Sequence, residues 1–245
     1  MQVNASTSGL ADIVGRLCQP RKHSGFTEWS RREPSDMDGQ VERPSERERA
    51  SQTPYKIMSE DLLALFRQTG ALLDGHFVLR SGLHSRQYFQ CAILLQHTEV
   101  AAKVCGWLAD KLREFDCDSV ISPALGGIIV GQEVARSLGK RHIFVEKEDG
   151  KLVLRRSFQI APNEKFVVVE DVVTRGGRVQ ETIDIICAYG GIVSAVGVIL
   201  DRSGQAKPDF GCPFVSLMEM NVETFPADKL PPDLAKIPAV KPGSK

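Results

Sequence analysis

The sequence predicts an α/β protein built on a central parallel sheet with helices on its faces. First, Phe166–Val169 is an unbroken apolar run, typical of a strand buried on both faces and therefore of a parallel sheet. Second, apolar strand patterns alternate with helical patterns over residues 59–200, as in successive βαβ units. Third, 42% of the 245 residues are hydrophobic, which suits one globular domain with a tail.

The first predicted elements are a helix and two short strands. Ser59 is a suitable N-cap because two acids follow it in the first turn, and Gly70 is a suitable end for this helix. Phe77–Leu79 and Tyr88–Phe89 are predicted strands on either side of a Ser-Gly turn.

The remaining elements alternate between helix and strand. In chain order they are an amphipathic helix over Val100–Leu112, a strand at Val120–Ile121, a helix from Gly126 to Gly139, strands at His142–Val145 and Phe166–Val169, a helix with Val179, Ile183 and Ile186 on one face, and a strand over Ile192–Leu200. The charged segment over residues 146–156 fits either a hairpin or a mobile loop. Prolines dominate from Phe225 onward, so we expect an extended C-terminal tail there.

The N-terminal segment differs in composition from the rest of the chain. Residues 1–57 are rich in Ser, Arg, Glu, Gln and Pro, and almost no apolar residue lies between Arg31 and Arg49. Such a segment cannot bury enough surface to offset its ordering entropy, so we expect a disordered extension. Its many acids argue against an organelle transit peptide. The domain is therefore expected over residues 58–245, with Met58 a candidate start.

Charge and cysteine usage exclude several classes of partner. The 31 basic and 31 acidic residues balance, so neither nucleic acid nor an anionic membrane is an expected partner. No apolar run approaches the roughly 20 residues that span a bilayer. The six cysteines have no metal-ligand or disulfide-framework spacing, and no secretory signal precedes them. We therefore expect reduced thiols and a cytoplasmic protein.

The strand Phe166–Val169 leads into the most informative motif. Glu170 and Asp171 follow it directly, then a turn with Thr174 and two glycines, and then a helix. The glycines allow backbone N–H groups to approach phosphate oxygens, and the helix dipole favours an anion. The carboxylates can accept hydrogen bonds from vicinal ribose hydroxyls. This order favours a sugar-phosphate site over an ordinary strand that ends in a solvated acidic turn.

A second turn has the same anion-binding character. Ser122–Gly127 follows a predicted strand and opens a helix, so its backbone suits a diphosphate. Taken alone it is weak, because most such turns only connect a strand to a helix. The nearby motif strengthens the prediction.

Three cationic segments complete the candidate site. Arg80 precedes the Tyr88–Phe89 pair, which suits a planar acidic base or, equally, a surface hairpin with core aromatics. Lys147 and Lys151 suit a lid over diphosphate, although charge runs are more often solvated hairpins. Arg202 follows the strand Ile192–Leu200 and could hold a carboxylate in two bonds, or form a turn with an Asp–Arg pair.

These segments resemble the type I phosphoribosyltransferases, and the hood segment and the Asp-Arg-Ser-Gly end resemble the members that use orotate. The resemblance implies a five-stranded parallel sheet flanked by helices with a small N-terminal hood, and a homodimer in which the loop of one subunit reaches the other's site. It implies transfer of the phosphoribosyl group of phosphoribosyl pyrophosphate (PRPP) to orotate N1 in pyrimidine biosynthesis. It also implies Mg²⁺ held mainly through PRPP, with no direct protein ligand.

The resemblance also implies a role for individual residues. It assigns the ribose hydroxyls to Glu170 and Asp171; the 5-phosphate to Val172, Val173, Thr174, Arg175, Gly176, Gly177 and Arg178; the diphosphate to Ala124, Leu125, Gly126 and Gly127; orotate to Arg80, Tyr88, Phe89, Thr174 and Arg202; and catalysis to Lys147, Lys151 and Asp171.

The sequence departs from the family pattern at three places. Arg175 and Arg178 stand where the phosphate loop usually carries small hydroxyl residues, and Leu125–Gly126 replaces the aromatic–Lys pair of some bacterial members. The charged loop also lacks the His found in those members. Two other functions stay open at this stage. A purine-type phosphoribosyltransferase would not need Arg202, because purines carry no carboxylate. A PRPP-sensing regulator or RNA-binding module would keep the site without turnover, and the balanced charge disfavours it.

Overall fold

The computed structural model describes residues 54–79 and 81–242. Most of the predicted extension over 1–57 and the predicted base-binding Arg80 therefore lie outside the described residues. The described elements are α1 (Pro54–Gln68), β1 (Leu72–Val78), β2 (His84–Phe89), α2 (Cys91–Leu95), α3 (Thr98–Leu112), β3 (Ser119–Pro123), α4 (Gly126–Leu138), β4 (Arg141–Glu148), β5 (Lys151–Leu154), β6 (Lys165–Val173), α5 (Gly177–Ala188), β7 (Ile192–Asp201), β8 (Phe214–Glu219), β9 (Thr224–Phe225) and a 3₁₀ turn at Leu234–Lys236.

The central sheet confirms the predicted α/β class. Its strand order is β5-β4-β3-β6-β7-β8, with every neighbouring pair parallel except β4 and β5. Five parallel strands therefore form the core, and β5 adds an antiparallel edge. Successive side chains of β6 alternate between two apolar clusters, with Val167 and Val169 in one and Phe166 and Val168 in the other. Both faces of β6 are thus buried. Burial of each large apolar side chain stabilises the fold by about 1.5–3 kcal/mol.

A three-stranded antiparallel sheet forms the hood, which is defined here as β1, β2 and β9. Strand β9 comes from the C-terminal part of the chain and pairs with β2 through Phe225 and Thr224. A further bridge joins Phe77 to Val240. The hood is therefore built from both ends of the domain rather than from the N-terminal segment alone, and the proline-rich tail is paired to it.

Several boundaries differ from the sequence prediction. Helix α1 begins at Pro54 rather than at Ser59. Proline is well suited to the first turn of a helix because its missing N–H has no intrahelical partner there. The charged segment over residues 146–156 contains the turn of a hairpin between β4 and β5. Asp149 and Gly150 form this turn, and both have positive φ, as in hairpin turns. Within the described residues, no helix is long and apolar enough to cross a bilayer.

Candidate active site

The two predicted anion-binding turns lie at the point where the strand order reverses. Strand β3 pairs with β4 on one side and with β6 on the other. The chain therefore adds β4 on one side of β3 and later β6 on the other side. In open α/β sheets, the crevice at such a switch point binds ligands. The turn after β3 leads into α4, and the turn after β6 leads into α5, so two helix N-termini face this crevice.

Glycines bring the two turns into contact. A Cβ atom added at Gly126 would lie 2.7 Å from Oδ2 of Asp171, and one added at Gly127 would lie 3.2 Å from Oε1 of Glu170 and 3.0 Å from the Cβ of Ser122. A side chain at Gly126 would displace the Asp171 carboxylate, and one at Gly127 would crowd Ser122 and Glu170. The start of α4 is thus packed directly against the carboxylates of β6.

The two acids have different environments. Glu170 is 4% exposed, and burial, together with the neighbouring Asp171, raises the pKa of its carboxyl well above the usual range. Oε1 of Glu170 accepts a hydrogen bond from the Asp171 backbone N at 3.2 Å. Asp171 is half-buried, and its Oδ1 accepts one from the Val172 backbone N at 2.8 Å. Glu170 is therefore protonated more readily than a carboxyl in water, and Asp171 is the more accessible of the two.

The predicted phosphate loop is open to solvent at its centre. Thr174, Arg175 and Gly177 are exposed, whereas Val173 is buried in the sheet core beside α5. Gly176 is the N-cap of α5 with φ +75°, and a Cβ there would lie 2.8 Å from the ring of Phe210. Only glycine satisfies both the positive φ and this close approach. The loop is thereby fixed in a turn that leaves α5 N–H groups available to an anion.

Arg178 connects the phosphate loop with the diphosphate turn. Its Nη1 donates a hydrogen bond to the Ala124 carbonyl oxygen at 3.2 Å. The following peptide bond, Ala124–Leu125, is cis, and the Leu125 side chain is 80% exposed. A cation therefore reaches the diphosphate turn from α5, although the turn itself carries none.

Arg202 extends the site from the end of the neighbouring strand β7. Its backbone N donates to the Val173 carbonyl oxygen at 2.8 Å, which places Arg202 beside the phosphate loop. Its Nε is buried and has no hydrogen-bond partner among the described residues. Burial lowers the pKa of this guanidinium, and Tyr88 and Cys91 partly oppose the effect. A partly buried cation whose Nε has no partner among the described residues suits an anionic ligand.

Asp201 fixes the turn that carries Arg202. This buried carboxylate accepts hydrogen bonds at Oδ1 from the backbone N and the Oγ of Ser203, at 2.8 Å and 2.6 Å. Its Oδ2 lies 3.9 Å from Nζ of Lys207, which also contacts Glu219 at 2.6 Å. In the part of the chain that the structure describes, Asp201 makes no ion pair with Arg202, so the simple Asp–Arg turn is not what forms.

The predicted aromatic pair is divided between two faces of β2. Phe89 is 4% exposed and packs edge-on against Phe66, with ring centroids 5.1 Å apart. Tyr88 points to the other face, where its ring lies beside that of Phe77, with ring centroids 5.7 Å apart. The guanidinium of Arg202 lies 6.0 Å from the Phe89 ring centroid. Phe89 thus belongs to the core beneath Arg202, while Tyr88 is the partly exposed member.

The predicted lid is the hairpin of β4 and β5. Lys147 and Lys151 are exposed on it. The later cations contact acids of the same segment, with Arg155 at 3.1 Å from Glu148, and Arg156 at 2.8 Å from Glu146. Solvated ion pairs of this kind match the plain hairpin interpretation, and a lid role for the two lysines stays a prediction.

A buried hydrogen bond beneath the diphosphate turn was not predicted from the sequence. His142 Nε2 and Ser122 Oγ are 2.9 Å apart, and burial lowers the pKa of the imidazole from 6.5 to about 4. A Cβ at Gly131 would overlap this ring. The sequence could have indicated this contact through Gly131, because a glycine in the middle of α4 indicates close packing.

Among the described residues, no cluster of three His, Cys, Asp or Glu side chains could hold a metal ion.

Comparison with known proteins identifies what this arrangement is similar to. The family model described as "Phosphoribosyl transferase domain" matches residues 91–229. The chain is 48% identical over 186 residues to an orotate phosphoribosyltransferase of Desulforamulus reducens, covering 76% of this chain and 97% of that protein. It is also 48% identical over 192 residues to an orotate phosphoribosyltransferase of Sphingopyxis alaskensis, covering 77% of this chain and 98% of that one.

A solved structure shares the fold. The crystal structure of orotate phosphoribosyltransferase from Aeropyrum pernix superposes with a TM-score of 0.55 and 25% sequence identity. The match covers 65% of this chain and 93% of that one. The family model covers the acidic pair, the two turns and Arg202, whereas Tyr88 and Phe89 precede its first matched residue.

Proposed function

The chain belongs to the orotate phosphoribosyltransferase family, and we propose that it transfers the 5-phosphoribosyl group of PRPP to N1 of orotate. The products are orotidine 5-monophosphate and diphosphate, so the reaction is a step of pyrimidine biosynthesis. The observation that carries the choice of base is the buried Arg202 Nε, which has no hydrogen-bond partner among the described residues. A purine offers this donor no carboxylate, which disfavours the purine alternative.

PRPP fits the crevice between the ends of β3 and β6. We assign the ribose hydroxyls to Glu170 and Asp171, the 5-phosphate to the loop over residues 172–178, and the diphosphate to residues 124–127. The support is the contact between Gly126 and the Asp171 carboxylate, which brings the turn after β3 against the acidic pair. Both phosphate groups then meet helix N-termini, where the dipole and free N–H groups favour anions.

Orotate is assigned to the space between Arg202 and the hood. Its carboxylate takes two hydrogen bonds from the guanidinium, a geometry that Arg provides and Lys does not. Tyr88, on the side of β2 away from the core, is assigned to the base; Phe89 supports Arg202 from below. Thr174 lies at the loop between the base and the 5-phosphate, and its exposed hydroxyl can serve either.

The chemistry requires orientation and charge stabilisation but no protein nucleophile. Orotate N1 attacks ribose C1 and loses its proton to solvent while the C1–O bond to diphosphate breaks, so positive charge develops at the sugar and negative charge on the leaving group. We assign Asp171 to the sugar side and Lys147 and Lys151 to the diphosphate side, where Arg178 also reaches the Ala124 carbonyl oxygen. Fixed charges at these places stabilise the transition state more than the ground state.

Mg²⁺ is the proposed cofactor. The residues fit an ion held mainly through PRPP, because Asp171 offers one accessible carboxylate beside the turn assigned to diphosphate. Mg²⁺ typically binds through one or two carboxylates together with substrate phosphates and water. When bound, it would neutralise charge on the diphosphate.

A homodimer with a shared lid is also proposed. The support is the family resemblance together with the exposed lysines of the β4–β5 hairpin, whose charge can act on a neighbouring subunit's diphosphate. We place the reaction in the cytoplasm, because all five described cysteines are free thiols, as a reducing compartment favours.

One assay tests the proposal. Purified protein is given PRPP, Mg²⁺ and one base at a time, and loss of orotate absorbance is followed beside parallel reactions with uracil and hypoxanthine. We expect turnover of orotate only, because uracil lacks the carboxylate and leaves the buried Nε of Arg202 without its anion. Faster turnover of hypoxanthine or uracil would overturn the assignment of the base and leave the PRPP site standing.

A further inference from the structure

One arginine of β2 contacts the C-terminal strap, defined here as residues 223–240, at three places; the strap begins with β9 and continues along the other two hood strands. Arg86 contacts the Asp233 carboxylate through two bonds, Nε to Oδ2 and Nη2 to Oδ1, both 3.0 Å long. Its Nη1 donates to Glu223 Oε2 at 2.8 Å. The same guanidinium lies 4.8 Å from the centroid of the Phe225 ring. A single side chain therefore engages three separate residues of the strap.

The far end of the strap is fixed to β1. His76 Nδ1 donates to the Ile237 carbonyl oxygen at 2.7 Å. The Val78 backbone N donates to the Val240 carbonyl, and the Val240 N donates to the His76 carbonyl, both at 2.8 Å. Between these anchors the Leu234 side chain is only 1% exposed. The strap thus spans both strands of the hood hairpin.

The position of Arg86 in β2 connects this strap to the base-binding side of the site. Arg86 and Tyr88 are two residues apart in one strand, so they share a face. Phe89, the next residue of β2, has its ring centroid 6.0 Å from the guanidinium of Arg202. The end of β2 that carries Tyr88 and Phe89 therefore lies beside Arg202, and a change in how β2 is held at Arg86 reaches it.

We propose that Arg86 is a positioning residue for the base, which fixes the C-terminal strap against β2 and so holds the Tyr88–Phe89 end of β2 beside Arg202. The identity of the base rests on the proposed function. Partly exposed ion pairs add little to global stability, but the two-bond Arg–carboxylate geometry defines an orientation. The effect of removing it should therefore fall on orotate affinity rather than on folding or on PRPP binding.

The first test compares Arg86→Ala with Arg113→Ala. Arg113 is a matched control, because it also makes an exposed ion pair, with Asp110 at 3.1 Å, but on α3 away from the hood. For Arg86→Ala we expect the KM for orotate to rise roughly tenfold, the loss expected when a binding surface is no longer preorganised. The KM for PRPP should stay within about twofold and the melting temperature within a few degrees. Arg113→Ala should leave all three unchanged.

Charge reversal supplies the second test. Arg86→Asp should weaken orotate binding more than Arg86→Ala, and adding Asp233→Arg in the same chain should recover most of the loss. Hydrogen exchange of the β2 amides should be faster in Arg86→Ala than in the native protein and return in the double variant. If Arg86→Ala proves poorly folded, Asp233→Asn removes only the charge and should show the same split between orotate and PRPP.

The outcomes separate this inference from the proposed function. Equal orotate KM in the native protein and in Arg86→Ala, or an equal rise for orotate and PRPP, would overturn the positioning role. Failure of the native protein to turn over orotate would instead overturn the proposed function. In that case faster β2 exchange in Arg86→Ala, reversed by the charge swap, would still support the strap contact.

Discussion

Gly126 lies directly against the carboxylate of Asp171. A Cβ at Gly126 would be 2.7 Å from Oδ2 and 2.9 Å from Cγ, closer than real side-chain contacts allow. This contact joins the turn after β3 to the acidic end of β6, so the diphosphate and ribose parts of the site are set by a single glycine. It also explains why a flexible-looking Gly-Gly pair opens α4, where helix propensity alone would favour other residues.

The first prediction is that Gly126→Ala weakens PRPP binding without unfolding the protein. The added methyl group must displace Asp171, and a charge-assisted hydrogen bond to a ribose hydroxyl is worth roughly 1.5–3 kcal/mol, or about tenfold or more in affinity. Calorimetric titration of PRPP measures the loss. Gly106→Ala in α3 is the control, since a Cβ there meets nothing within 4 Å. Native affinity in Gly126→Ala would contradict the contact.

The second prediction concerns Glu170→Gln, which should stabilise the fold while weakening PRPP binding. The pKa of Glu170 is raised by burial, so ionising it in the folded state costs free energy that the unfolded chain does not lose. That cost is absent below the pKa of a free carboxyl, about 4.3, and grows as the pH rises above it. The stability gained by Glu170→Gln should therefore be larger at pH 8 than at pH 5.

Thermal unfolding of both proteins across this pH range is the measurement. A gain that shrinks as pH rises would contradict the direction of the pKa shift. Titration of PRPP into the same variant shows whether the carboxylate also serves the ribose. Asp171→Asn is the comparison, because its half-buried side chain should alter binding with less effect on stability.

Much of the fold could be predicted from the sequence because local patterns and burial agreed in the central sheet. The apolar run before Glu170 lies in β6, and the helices predicted from Val100 and Gly126 form as α3 and α4. Strand β8 carried no separate prediction, since a short apolar run after a proline-rich loop lacks distinguishing periodicity. Strand β9 could not be inferred locally, because its two residues form a strand only by pairing with β2.

The sequence predicted the parts of the site whose residues are adjacent in the chain. It did not predict contacts between residues that are distant in the chain. The acidic pair and both glycine turns are brought together as expected. By contrast, Arg178 reaching Ala124 and His142 reaching Ser122 join residues 54 and 20 positions apart. The alternation of β2 side chains could have indicated that Tyr88 and Phe89 face opposite ways. Arg80 and residues 1–53 lie outside the described chain, so their roles stay predictions.

The third prediction is an acid-dependent loss of stability through His142. Its pKa is lowered from 6.5 to about 4, so between these values the unfolded chain binds more protons than the folded one. Stability should therefore be full above pH 6.5 and fall as the pH drops toward 4. Discounted for solvent screening, the loss is roughly 2 kcal/mol. Denaturant titrations at several pH values measure it, and His142→Gln should flatten this slope. An unchanged slope would exclude His142 as the cause.

The fourth prediction concerns the lid. Lys151→Ala should lower kcat far more than it changes the KM for orotate, because its charge acts on departing diphosphate rather than on the bound base. If the hairpin serves the other subunit, mixing Lys151→Ala with Asp171→Asn should restore activity, since one hybrid site then has a native lid and a native pocket. No recovery in verified heterodimers would indicate that each subunit uses its own lid.

The last prediction concerns Arg202→Lys. The substitution keeps a positive charge but removes the planar fork of the guanidinium. A hydrogen bond to a charged group contributes roughly 1.5–3 kcal/mol, so the KM for orotate should rise about tenfold or more. PRPP affinity should stay nearly native, because the phosphate turns do not depend on this side chain. Lys207→Ala is the control at a neighbouring residue. Lys207 contacts Glu219 and lies 3.9 Å from Asp201, so it supports the same turn. We expect a smaller rise in the KM for orotate than in Arg202→Lys. Orotate and PRPP titrations on both variants are the measurement. A parallel loss of orotate and PRPP affinity in Arg202→Lys would mean that Arg202 shapes the whole crevice rather than recognising the carboxylate.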